Sequence, residues 1–368
     1  MNGNIYDVSE YGLKGDGRTD DTAALQALID KIGAEGRNAV IYFPLEGPYL
    51  FDGPFQDIER SNCIIKFPSM AITGRYYTIT LRGYSTPVYS PSAFSTQPLP
   101  SATVLRTTRS QAGGQAPSFF GGIGPKGGDN YECSYVGIGF ENLIVQVPPN
   151  PSFTAVNLDH YTASCFRNVA VLAPSLSVTN TAEPTTEDSF GVIQPHFSSG
   201  VYQRVEEMLV IVGFYNGIRV GENCCAEYIE IYSCRNAAVF DFSHGTSRME
   251  RLTAGWCKCH MVFRDAHATQ IGLLNTERWD PSVNGIQSAW YDFVADVVDP
   301  MNQARGDVTY QSARANVGYY PGQMALQGGV NLNVRELGQL WTASERKPEK
   351  PGDRRNVRTS GMPDELND

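Results

Sequence analysis

Charged residues are scarce in this chain, at 18% of 368, and those present lean acidic, with 29 Lys and Arg against 39 Asp and Glu. A formal charge of −10 argues against a general phosphate-backbone binder, which needs clustered cations, so nucleic acid is not an expected partner. No stretch approaches the ~20 apolar residues that span a bilayer, and no membrane is expected either. The eight cysteines form no CxxC pair, and several sit inside apolar strand-like runs, so they are read as reduced core residues made in a reducing cytoplasm. What the chain has in quantity is Gly, 36 residues, and Pro, 22, a mix that suits many short strands joined by tight turns better than long helices.

The N-terminal stretch is the most ordered pattern. Tyr11-Gly12-Leu13-Lys14-Gly15-Asp16-Gly17-Arg18-Thr19-Asp20-Asp21-Thr22 is a Gly and Asp-rich loop, followed by apolar residues at Ala24, Leu25, Leu28, Ile29 and Ile32. That spacing marks one face of a helix, with Thr19, Asp20 or Asp21 able to cap its start and Gly33 with Gly36 able to end it. Val40 to Pro44 and Pro48 to Phe51 then read as two short strands around a turn. Asp16, Asp20 and Asp21 have two readings, an acid or metal cluster and a set of turn and cap residues; the second needs only local bonds and is the expectation.

This loop, helix and strand pair resembles the opening of the pectate lyase superfamily, over roughly the first fifty residues. It departs from that pattern at Leu13 and at Leu45-Glu46, both at turn positions. The resemblance implies an all-β fold, a single-stranded right-handed parallel β-helix with an N-terminal capping helix that plugs the end of the solenoid. It also implies a polysaccharide as the partner. The ordered Asn-Thr-Asp, Asp-Asp, Gly-His-Gly and Arg-Ile-Lys motifs of the polygalacturonases in that superfamily are missing from the coil region, the nearest being Ser243-His244-Gly245, so no catalytic residue carries over.

A solenoid predicts a weak repeat, one coil per period. Phe140-Glu141-Asn142-Leu143-Ile144-Val145 recurs as Phe166-Arg167-Asn168-Val169-Ala170-Val171. Ile211, Ile231, Leu252 and Leu273 are expected to stack in one inward column, and Ile218, Phe240 and Phe263 in a second. Strand alternation then turns Glu230, Arg251, Arg219, Asp241 and Arg264 outward, with opposite charges on adjacent coils, and places Asn216 and Asn236 at left-handed turns. Residues 1–52 form the cap and 53–340 the β-helix, with loop insertions near 84–130 and 173–194; 341–368 is a polar C-terminal tail.

Chemistry on a polysaccharide needs either two carboxyl groups, for hydrolysis, or a base beside a group that neutralises a uronate carboxylate, for elimination. The candidate catalytic residues are Glu277, Asp280, Asp241 and Glu230; the candidate substrate-binding residues are Trp279, Arg278, Arg251 and Arg264. Glu277-Arg278-Trp279-Asp280 is the place where a tryptophan, which stacks on sugar rings, meets two acids in a short polar segment. The competing reading of Glu230 with Arg251, and of Asp241 between Arg219 and Arg264, is a surface ion ladder. His244 and His260 lack the spacing of a zinc site, and no metal or cofactor is expected.

The expected function is a tailspike-like β-helix of a phage particle that binds, and in one reading depolymerises, a cell-surface polysaccharide as a homotrimer or with other virion proteins. Met1 to Val8 lack a secretory signal, which points to a virion protein made in the host cytoplasm; the alternative is a secreted protein whose signal was removed. The rivals are a microbial glycoside hydrolase or polysaccharide lyase, and a structural virion β-helix without a ligand.

Overall fold

A computed structural model of the chain describes residues 4–58, 61–69, 76–87, 102–110, 117–122, 134–173, 189–195, 203–240, 243–255, 257, 259–263, 266–277, 291–295, 313–317, 326–327, 330–334 and 357–359. Their strands form two parallel sheets, one of 14 strands and one of 10. The chain alternates between the sheets coil after coil, so strands adjacent in a sheet come from successive coils. Parallel neighbours with a crossover through the opposite sheet make a parallel β-helix. The one antiparallel pair among the described residues, Gln56–Ile58 with Ser61–Lys66, lies at the edge of the smaller sheet.

The helix Thr22–Glu35 presents Leu25, Leu28, Ile29 and Ile32 to the first coils, all buried. Its acidic loop is built locally. Asp21, the residue before the first turn, accepts from the Lys14 and Gly15 amides at 2.8 and 3.1 Å, and Asp16 accepts from the Arg18 and Thr19 amides. Asp20 accepts from the amides of Thr22 and Asp52, tying the loop to the second short strand, Tyr49–Leu50. Gly36 closes the helix with φ 58° and donates to the Ile32 carbonyl. The turn and cap reading therefore accounts for all three aspartates.

The 26-residue repeat is the true register. Phe140 faces Phe166, Glu141 faces Arg167, and Leu143, Ile144 and Val145 face Val169, Ala170 and Val171. The two phenylalanine rings stack at 5.5 Å and 4° inside the core. Long strands such as Ser134–Gln146 and Tyr161–Leu172 bend at Asn142 and Asn168, whose φ values of 54° and 50° are left-handed, and Glu207 bends the next coil in the same way at 63°. Asn tolerates that backbone because its short polar side chain bonds locally. Asn168 Nδ2 donates to Asn142 Oδ1 at 3.4 Å and also to the Glu207 carboxylate.

The later columns need correction. Ile211 does lie beside Ile231, but Leu252 pairs with Ile229, and Leu273 faces Arg251 on the outer side while Leu274 takes the inward place. Phe240 does lie beside Phe263, whereas Ile218 pairs with Ala238. Counting at a fixed step fails because the coils differ in length: the step is 20 residues from Leu209 to Ile229, 23 from Ile229 to Leu252 and 22 from Leu252 to Leu274. Ile211, Ile231 and Leu252 nonetheless share one buried core. Asn216 and Asn236 are a second correction. They open adjacent strands of the smaller sheet and bond to each other at 2.8 Å, rather than adopting left-handed turns.

The regions expected as insertions contain strands of their own, Thr103–Arg106, Pro117–Gly121 and Phe190–Ile193. In the polar C-terminal segment Val357–Thr359 pairs with Val330–Val334. The thiols differ by strand parity. Cys63, Cys224, Cys234 and Cys257 are buried, Cys165 is half-buried, and Cys225 is exposed because it follows the inward Cys224.

Candidate active site

The outer side of the smaller sheet ends in tight turns that lead to the larger sheet. The strand Thr154–Asn157 runs into Leu158, whose amide bonds to the Ile193 carbonyl of the next coil at 2.9 Å, and the chain then turns at Asp159 and His160. Asn157 Oδ1 accepts from the Asp159 amide at 3.1 Å and fixes this turn, an arrangement favoured by Asn in turns. One coil further on, Ile193 pairs with Arg219 of the strand Asn216–Val220. The Arg219 guanidinium reaches back across the intervening coil to form an ion pair with Asp159. His160 Nε2 lies 3.9 Å from the other Asp159 oxygen.

These three groups are only 15 to 24% exposed, in a setting where charge effects are weakly screened. Arg219 emerges between Ile193 and Val239, and with Phe190 and Val262 those two form a buried apolar cluster. Burial holds the His160 imidazole below its ordinary value; Asp159 pulls it upward and Arg219 adds to the depression. Asp159 thus stands between an imidazole and a guanidinium, a candidate base and a candidate cation. In the matching turn two coils along, about 10 Å away at the spacing of parallel strands, stands Glu222.

Sequence reasoning had placed Arg219 outward but overlooked Asp159 and His160. A signal was present in the Asn-Leu-Asp-His run after an apolar strand, a turn sequence carrying a titratable pair.

Of the predicted residues, Glu230, Arg251 and Glu277 lie on strands of the larger sheet. Glu230 is buried on the outer face of the larger sheet, accepts from the Tyr228 hydroxyl, and is in register with Thr253 rather than Arg251. Arg251 is in register with Tyr228 and stacks its guanidinium 4.3 Å above that ring. The ladder read for Glu230 and Arg251 is therefore a carboxylate, phenol and guanidinium in sequence. Arg219 pairs with Asp159, and its strand neighbour is Val239, not Asp241. The backbone of Glu277 ends the strand Ala266–Glu277, in register with Gly255. Asp241, Arg264, Arg278, Trp279 and Asp280 lie outside the described residues. An ion ladder does occur, at a different place: Arg82, Glu141, Arg167 and Glu206 alternate along four adjacent strands of the larger sheet. Among the described residues no cluster of His, Cys, Asp and Glu is arranged to hold a metal, and no helix is long and apolar enough to cross a membrane.

A family model described as rhamnogalacturonase A/epimerase, pectate lyase-like, matches residues 5–247. Two solved structures are similar at low identity. A Geobacillus virus E2 protein, ORF18, is 13% identical, with a TM-score of 0.45 over 91% of this chain and 58% of its own. The A-module of a mannuronan C-5 epimerase from Azotobacter vinelandii is 14% identical, with a TM-score of 0.39 over 97% of this chain and 98% of its own. The chain thus spans 58% of the viral protein. No curated protein sequence matches it. With the matched residues covering both the capping segment and the coils that carry Asp159, His160 and Arg219, the chain belongs to the rhamnogalacturonase A/epimerase, pectate lyase-like family.

Proposed function

We propose that this β-helix is a tailspike-like protein that binds a cell-surface polysaccharide and cleaves it beside uronic acid residues by β-elimination. The observation that carries this reading is the half-buried cluster in which Asp159 pairs with the Arg219 guanidinium and lies 3.9 Å from His160 Nε2, at the outer edge of the smaller sheet. In the reaction the His160 imidazole takes the C5 proton of the uronate, the C4–O bond to the leaving sugar breaks, and its electron pair leaves with that oxygen. The C5–H electrons become the C4–C5 double bond, and the departing alkoxide takes a proton from water. Arg219 faces the uronate carboxylate, where negative charge grows as the proton is lost. Asp159 holds the guanidinium in place and lies 3.9 Å from the imidazole.

A hydrolytic reading has one supporting feature, the placement of Asp159 and Glu222 in matching turns two coils apart, near the separation used with an intervening water. Assembly as a homotrimer in a virion belongs to the leading reading, and reduced thiols fit synthesis in a cytoplasm before assembly.

The test is incubation with uronate-bearing bacterial polysaccharides, following unsaturated products and new reducing ends together. Unsaturation that disappears in His160→Ala and Arg219→Met, with binding and folding retained, supports the proposal. Reducing ends without unsaturation would establish hydrolysis instead. A monomer in sedimentation that binds nothing on a bacterial glycan array removes the tailspike reading.

A further inference from the structure

Between the coil that carries Asp159 and the coil that carries Arg219 lies a third, the strand Phe190–Ile193 followed by Gln194 and Pro195. Arg219 has to span this coil to meet Asp159, so the height and phase of the middle coil set whether the two groups touch. Gln194 is wholly buried there. Its backbone amide donates to the Arg219 carbonyl at 3.1 Å, and its side-chain Oε1 accepts from the Gly221 amide at 3.1 Å. The Gly221 amide is turned away from the sheet ladder, and without that oxygen it would be a buried donor with no acceptor. The Pro195 carbonyl accepts from the Glu222 amide at 3.3 Å, and on the other side the Ile193 carbonyl accepts from Leu158, next to Asp159.

The turn leaves no slack. A Cβ on Gly221 would meet the Pro195 carbonyl oxygen at 2.2 Å and Gln194 Cβ at 3.0 Å. Beneath it lies Cys224, whose thiol burial pushes up to about 12, while the Gln194 amide acts in the opposite direction.

We propose that Gln194 is a positioning residue that holds Arg219 against Asp159, through the backbone on one side of Arg219 and the Gly221 turn on the other. The proposal rests on the reading of Asp159, His160 and Arg219 as the active site, but its first test does not depend on turnover. The imidazole of His160 reports the geometry, because Arg219 disfavours its protonation and Asp159 favours it.

In the full chain, the titration of His160 is followed by NMR, its signal assigned with His160→Asn. Gln194→Met keeps the shape and removes the acceptor. The His160 midpoint is expected to rise in Q194M toward its value in R219M, and to stay near the parent in Gln194→Glu, which keeps an acceptor for Gly221. Should Q194M give no folded spectrum, Gln194→Asn, which shortens the reach to Gly221, is expected to shift the midpoint in the same direction. A merely structural role lowers the melting temperature and leaves the His160 midpoint unchanged, and that result overturns the proposal. If the midpoint moves as expected while no polymer is cleaved by the parent protein, the positioning role stands and the elimination chemistry falls.

Discussion

Replacing Asn168 tests whether the left-handed corner, and not only its hydrogen bonds, holds the coils in phase. Asn168 is nearly buried, has φ 50°, and donates to the Glu207 carboxylate and, at 3.4 Å, to Asn142. Glu207 is 58% exposed, so its bond is discounted to about 1 kcal/mol, and the long contact to Asn142 adds little. Asn168→Gly keeps the backbone conformation and loses only these bonds, a cost of about 1 kcal/mol. Asn168→Val loses them too and adds the left-handed penalty of about 1–2 kcal/mol, for a total near 2–3 kcal/mol. Urea unfolding of both variants, with a shared slope and shifted midpoints, reads the difference directly. Equal midpoints for the valine and glycine variants would refute the reasoning, because the corner would then have no conformational requirement.

Three further outcomes are expected. His160 is held below its ordinary value in the folded chain, so its contribution is complete above the unfolded value near 6.5 and is lost as pH falls from there through the lower folded value; His160→Gln should flatten the decline in melting temperature on the acid side. Gly221→Ala, with its Cβ 2.2 Å from the Pro195 carbonyl oxygen, is expected to cost about 1–3 kcal/mol in denaturant unfolding. A charged thiol reagent should label Cys225 in the native protein and reach Cys63, Cys224, Cys234 and Cys257 only after denaturant is added, as mass spectrometry of the digested chain would show.

The solenoid was legible because its physical signals are local or periodic. The loop, helix and strand pair at the start use cap and turn chemistry that a sequence displays openly, and the Phe140 and Phe166 repeat is a register with no extra residue between corners. The candidate site was less legible because it joins residues by their height on the rod. Asp159 and Arg219 are 60 positions apart, across a coil whose length nothing in the local pattern announces. The ladder of Glu230 and Arg251 missed its register because the coil from Ile229 to Leu252 is 23 residues long, against 20 from Leu209 to Ile229. Glu230 and Arg251 were correctly turned outward, yet a slip of two positions separates neighbours on paper from neighbours in space.

Successive corners at Asn142, Asn168, Glu207 and Glu227 are separated by 26, 39 and 20 residues, yet each sits one storey above the last. Such a scaffold keeps time by its angles and lets the distance travelled vary. Segments between corners can lengthen or shrink over generations without disturbing the alignment of the layers, so novelty accumulates on the walls while the masonry stays true.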